Sequence, residues 1–183
     1  MTSLGCKRYG SAAFLMDEQN VVAYRQGADM IRIERARFPD DRGDVVAIFK
    51  EYVASPTVDL GFQDYESEFA ALPGKYAEPE GRILLAWQAN NVVGCVALRQ
   101  VDRVTCELKR LYVRPAARGL NLGRELVEHM IREARSVGYS RICLDVLPEF
   151  EAAQRLYRDL GFRPAEAVSF NPVPGTQFLA LNL

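Results

Sequence analysis

The chain carries one histidine, His129, and no surplus of charge: 23 Lys and Arg stand against 24 Asp and Glu, a formal net charge of −1. A single histidine excludes a His-cluster metal centre and leaves no partner for a Ser-His-Asp triad placed elsewhere on the chain. The four cysteines, Cys6, Cys95, Cys106 and Cys143, include no CxxC pair. Their spacing suits neither a zinc site nor the disulfide framework of a small secreted domain. Cys95, Cys106 and Cys143 fall in apolar, strand-like runs, where a thiol behaves as a small hydrophobe. Balanced charge provides no nucleic-acid footprint and no polybasic membrane anchor. No apolar run is long enough to span a bilayer, and the N-terminus lacks the basic stretch and apolar core of a signal peptide. These absences predict a reducing, cytoplasmic setting and no bound metal. What is there is ordinary: 183 residues, 49% hydrophobic and 26% charged, enough for one domain with a well-buried core.

Residues 1–29 read as a flexible extension ahead of a domain over 30–183. Met1–Gln19 has no sustained periodicity, only Val21–Tyr24 has the look of a short strand, and Met30 is a candidate natural start. From Met30 the pattern is regular. Ile31–Arg37 alternates as a strand. Asp44 can cap a helix that places Val45, Ile48, Phe49, Tyr52 and Val53 on one face. A second short helix covers about Gln63 to Ala71, stopped by Pro73-Gly74. Arg82–Gln88, Val92–Gln100 and Thr105–Val113 read as three strands joined by tight turns. The next helix runs from Leu122 to Val137, with Leu122, Leu126, Val127, Met130, Ile131 and Ala134 on its stripe, Gly138 as its cap, and His129 expected at the surface. Arg141–Val146 is a strand and Phe150–Leu160 a helix capped by Gly161. Two strands, about Pro164–Phe170 and Thr176–Asn182, close the chain. The order is βααβββαβαββ, an α/β class with no internal repeat.

The chemistry concentrates between Leu111 and Leu126. A strand ends at Val113, the chain turns at Pro115, and Gly119 and Gly123 flank the start of an amphipathic helix. Such a junction aims several backbone N–H groups at one point, and the helix dipole adds partial positive charge there, which suits a pyrophosphate. Arg118 and Arg124 add full charges. Arg124 in a first turn opposes the dipole, a cost that a bound anion removes. GxxxxGK[ST] and GxGxxG are both absent, which excludes a P-loop and a dinucleotide fold. Present instead is Arg118-x-x-Asn121-x-Gly123. It resembles the Arg/Gln-x-x-Gly-x-Gly/Ala signature of the GCN5-related N-acetyltransferase (GNAT) superfamily. The element order from residue 30 onward is similar as well. Asn121 replaces the first signature glycine, and asparagine is the residue that best tolerates positive φ after glycine.

A second segment, Ala153-Gln-Arg-Leu156-Tyr157-Arg-Asp-Leu-Gly161-Phe162, resembles the family's A-x-x-L-Y-x-x-x-G-F helix. Most of it reads equally as a core stripe with a glycine cap. The resemblance implies a mostly antiparallel twisted sheet of about seven strands, splayed in the middle, and acetyl-CoA as co-substrate. It places the pantetheine arm against Leu111, Tyr112 and Val113. The pyrophosphate falls to Arg118, Gly119, Leu120, Asn121, Leu122, Gly123 and Arg124. Tyr157 becomes the acid that meets the departing thiolate, with a modest effect, because a thiol of pKa near 8.5 leaves readily. Glu107 sits where some members carry a general base. Strict alternation puts Glu107, Lys109, Leu111 and Val113 on one strand face, and Leu108, Arg110 and Tyr112 on the other. A carboxylate in mid-strand needs a cleft or a partner, so Glu107 is either that base or a salt bridge to Lys109 or Arg110. Asp145 is the next candidate. The implied reaction is N-acetylation of a small-molecule or peptide amine by direct attack on the thioester, by a monomer or homodimer. A non-catalytic acyl-CoA sensor is the alternative. Leu60–Tyr65 and Phe170–Gly175 are the expected acceptor-side stretches.

Overall fold

The computed structural model describes residues 8–9, 12–16, 22–26 and 29–183. The described chain begins with three strands, Arg8–Tyr9 (β1), Ala12–Met16 (β2) and Val22–Gln26 (β3), which pair in turn and hand the sheet to Asp29–Arg35 (β4). Cys6 and most of the turns around these strands lie outside the described residues. From β4 the order is α1 (Arg42–Val53), α2 (Tyr65–Ala70), β5 (Arg82–Gln88), β6 (Asn91–Gln100), β7 (Thr105–Val113), α3 (Leu122–Val137), β8 (Arg141–Val146), α4 (Glu151–Asp159), β9 (Arg163–Pro164) and β10 (Gln177–Asn182). That is the expected order. Among the described residues the strands belong to one sheet, β1-β2-β3-β4-β5-β6-β7-β8-β10-β9, of which the seven from β4 onward form the expected sheet. Every pairing is antiparallel except β7 with β8.

Each face of this sheet buries an amphipathic stripe. On one side α1 and α2 deliver Val45, Ile48, Phe49 and Phe69 onto Ile83, Leu85, Cys95 and Ala97. On the other, α3 and α4 deliver Leu122, Leu126, Met130 and Tyr157 onto Leu84, Val96, Leu98 and Leu108. A fully buried side chain of this kind contributes about 2 kcal/mol by transfer alone. Cys95, Cys106 and Cys143 are buried free thiols within these layers, as their apolar surroundings predict. Among the described residues no helix is long and apolar enough to cross a membrane.

Four expectations change. Helix α1 starts at Arg42 behind Asp41, not at an Asp44 cap; the Asp41 carboxylate instead accepts the Arg37 N–H at 2.7 Å. The strand expected over 164–170 shrinks to Arg163–Pro164, and its remainder becomes a loop to β10. His129 is 3% exposed rather than on the surface. Strict alternation along β7 also fails. Tyr112 pairs with Cys95 and Lys109 with Ala97, so two β7 residues, Arg110 and Leu111, face the single residue Val96. Arg110 takes the left-handed conformation at φ 59°, and this β-bulge puts Lys109 and Arg110 on the same face of the sheet.

Candidate active site

Beyond Glu107 and Cys143 the parallel strands part. Only Thr105, Cys106 and Glu107 of β7 pair with Arg141, Ile142 and Cys143 of β8, while β10 follows β8 along its whole length. From Leu108 onward, β7 therefore has no partner on its β8 side. Into this gap opens a cavity of about 820 Å³, lined by Leu108–Val113, Asp145–Leu147, the start of α3 and one side of α4. The expected pantetheine residues Leu111, Tyr112 and Val113 stand together along it.

The start of α3 forms one end of the cavity. Gly119 has φ 79° and Asn121 φ 59°, so the asparagine does hold the left-handed geometry for which glycine is usual. The Asn121 carbonyl takes the N–H groups of Arg124 and Glu125 at 3.0 and 3.2 Å, and no side chain caps the helix. The N–H groups of Leu122 and Gly123 are left without a helical partner. A Cβ on Gly123 would meet Leu156 at 3.7 Å and Val113 at 4.0 Å, ordinary contacts. Packing thus does not demand glycine there, but a ligand seated on the backbone would. Arg118 folds back so that its Nε donates to the Val113 carbonyl at 3.0 Å. Arg124 has only long, exposed contacts to Glu128 (3.6 Å) and Asp159 (3.5 Å), which yield at little cost to a phosphate. Arg118, Gly119, Asn121, Leu122, Gly123 and Arg124 all line the cavity; Leu120 is half-buried beside them. The residues present fit a pyrophosphate.

Tyr157 lines the middle of the cavity, its ring packed edge-on against Phe162 at 5.5 Å. Burial pushes its phenol above the ordinary value of 10, with Tyr52 and Asp145 adding to the shift. It therefore stays protonated at any working pH. The bulge residues Arg110 and Leu111 line the same cavity.

At the other end the charged groups are tied together. Glu107 is 0% exposed and does not line the cavity. Its carboxylate accepts from Arg99 Nε at 2.7 Å, Lys109 Nζ at 3.3 Å and Ser169 Oγ at 2.9 Å. Lys109 also reaches Asp145 at 2.9 Å, and Asn171 Nδ2 donates to the other Asp145 oxygen at 2.6 Å. Although burial opposes it, Lys109 and Asn171 hold the Asp145 carboxyl below the usual carboxylate range. Lys109 and Asp145 line the cavity and Glu107 stands behind them. Arg110 forms a two-pronged pair with Glu68, at 2.9 and 3.0 Å, donates to Gln63 at 2.7 Å, and lies over the Tyr52 ring. Both expected acceptor-side stretches contribute: Gln63 lines the cavity, and Asn171 bonds to the Asp145 on its wall from the β9–β10 loop, with Ser169, just ahead of the expected stretch, bonded to Glu107. The sequence names Lys109 as a candidate salt-bridge partner of Glu107, which it is at 3.3 Å, and places Asn171 in an acceptor-side stretch, but carries no sign of Ser169 or Arg99.

A cleft between two parting strands, with a bare helix start at one end and a buried tyrosine along it, suits an extended ligand that ends in phosphate. Residues 45–162 match the Acetyltransferase (GNAT) family. An uncharacterized N-acetyltransferase of Schizosaccharomyces pombe is 37% identical over 155 residues, covering 84% of this chain and 95% of that protein. An acetyltransferase of Streptococcus agalactiae shares the fold, with a TM-score of 0.69 at 22% identity over 84% of this chain and 98% of that one. The yncA protein of Salmonella typhimurium, solved with its cofactor acetyl-CoA, has a TM-score of 0.59 at 25% identity, covering 83% and 93%. This chain belongs to the GNAT family of acetyltransferases.

Proposed function

We propose that the protein moves an acetyl group from acetyl-CoA to the amine of a small molecule or peptide, by direct attack of that amine on the thioester. The observation that carries this reading is the parting of β7 and β8 after Glu107, which leaves a strand edge open along the cavity. The catalytic unit is residues 30–183, and residues 1–29 are appended to it.

Acetyl-CoA, when bound, supplies the activated acyl group. The N–H groups of Leu122 and Gly123 hold its pyrophosphate together with Arg118 and Arg124. The edge of Leu111–Val113 pairs with the amides of the pantetheine arm as a missing strand would. The bulge at Arg110 and Leu111 releases backbone N–H groups from the β6 ladder, and these steady the oxyanion as the carbonyl becomes tetrahedral. Tyr157 donates a hydrogen bond to the sulfur as the C–S bond breaks. Its phenol is a weaker acid than a thiol, so it stabilises the thiolate more than it protonates it. Glu107 acts from behind, as the charge partner that fixes Lys109.

Free thiol released from acetyl-CoA in the presence of an amine panel tests this. Tyr157→Phe should lower kcat by roughly 10- to 100-fold while leaving acetyl-CoA affinity nearly unchanged. A variant as fast as the wild type refutes the role of Tyr157. Tight acetyl-CoA binding without turnover on any acceptor would favour the sensor reading instead.

A further inference from the structure

Six elements and a loop bring polar groups to the acceptor end. Arg99 comes from β6; Glu107, Lys109 and Arg110 from β7; Asp145 from β8; Glu68 from α2; Tyr52 from α1; Tyr157 from α4; Ser169 and Asn171 from the β9–β10 loop. Each of these carboxylates is occupied; Glu151, which lines the cavity from the start of α4, has an exposed contact from Arg155 at 3.4 Å. Glu107 is held by Arg99, Lys109 and Ser169, and Asp145 by Lys109 and Asn171. Glu68 is held by Arg110, Lys75 and the Tyr76 hydroxyl. Glu149, at the rim, accepts from the Thr57 N–H and hydroxyl. Tyr52 and Tyr157, two of the phenols that line the cavity, are shifted upward by burial and stay neutral.

A carboxylate in this condition is a poor acceptor for the proton of an alkylammonium ion. The transfer is uphill by roughly six pK units from ordinary values alone. Lys109 and Asn171 hold Asp145 lower still. We propose that the acceptor amine enters this site as its free base, so that the protein's acceptors are amines of low basicity, such as α-amino groups, rather than alkylammonium ions. This rests on the acetyl-transfer reading above. The neutral nitrogen attacks the thioester carbon, the N–C bond forms, and the carbonyl π electrons move onto oxygen. Nitrogen now carries the positive charge in an adduct far more acidic than the starting ammonium. Asp145, the carboxylate on the cavity wall, takes that proton. The oxyanion then collapses, the C–S bond breaks, and the thiolate leaves with the hydrogen bond of Tyr157. Asp145 returns its proton to solvent and the thiolate takes one, so the balance is amine plus thioester to amide plus thiol.

Thiol release measured from about pH 6 to about 10 decides it, using an amino-acid amide and an alkylamine of matched shape. At about pH 7 the α-amino acceptor should exceed the alkylamine in kcat/KM by roughly 100-fold, the ratio of their free-base fractions. The alkylamine kcat/KM should climb about tenfold per pH unit, and the two curves should converge near the alkylamine's own pKa. Asp145→Asn should lower both curves without changing which pKa they follow. An alkylamine curve that levels off well below that pKa overturns the proposal, and the wild-type curves suffice if the variant does not fold. Absence of thiol release with every amine would sink the transferase reading itself, a different result from a misplaced inflection.

Discussion

On α3, His129 is held where charge is unwelcome. Its Nδ1 has no hydrogen-bond partner, and its Nε2 lies 3.8 Å from a Glu133 carboxylate already engaged by Arg35 at 2.8 Å and Arg82 at 3.1 Å. Burial, helped by Arg132, lowers its pKa from 6.5 to about 4. The unfolded chain therefore takes up a proton near pH 6.5, while the folded chain resists until about 4. Stability is complete above pH 6.5 and declines as the pH falls between those values, by about 2 kcal/mol at pH 5. Urea unfolding at pH 7 and pH 5 should show this loss in the wild type and a shallower loss in His129→Leu. Equal losses in the two proteins would show that another group sets the slope. Sequence could not place His129 inside. It flanks the apolar stripe of Leu126 and Met130, and the Glu133 beside it is engaged by Arg35 and Arg82, from strands distant in the chain.

Elements whose signals are local were legible in advance. The span of α3 was read to the residue, because its stripe begins at Leu122 and Gly138, at φ 102°, ends it. The left-handed Asn121 was also foreseeable, since few side chains accept that conformation. From the residues alone, without the family resemblance, the bulge in β7 was not: nothing in Lys109-Arg110-Leu111 announces that the register to β6 slips there. Polar loop residues were equally opaque, and the strand expected over 164–170 gave way to a loop whose Ser169 and Asn171 turn inward to two carboxylates. The bare start of α3 supports a separation of stability from binding. Gly123→Ala meets only ordinary contacts and gains helix propensity, so its Tm should match or slightly exceed that of the wild type. Its affinity for coenzyme A, read by titration calorimetry, should fall at least about tenfold, because the new methyl group stands on the phosphate seat. Unchanged affinity would move the pyrophosphate elsewhere.

Across the whole molecule the two halves of the cleft differ in how the chain builds them. The donor half is nearly contiguous: β7, the turn at 114–121 and the first turn of α3, with Tyr157 added from α4. Its motifs could be read directly. The acceptor half gathers Tyr52, Gln63, Lys109, Arg110, Asp145 and Asn171 from five separate segments, and only the folded sheet makes them neighbours. Glu107 shows the difference. The sequence left it as base or salt bridge, and the fold surrounds it with Arg99, Lys109 and Ser169. Mass spectrometry of both protein and acceptor, after incubation with acetyl-CoA and an amino-acid amide, tests direct transfer in this cleft most plainly. The account predicts an acceptor heavier by one acetyl group and a protein of unchanged mass throughout turnover. An acetylated protein that passes its acetyl group on, or an acceptor that never gains one, would contradict it.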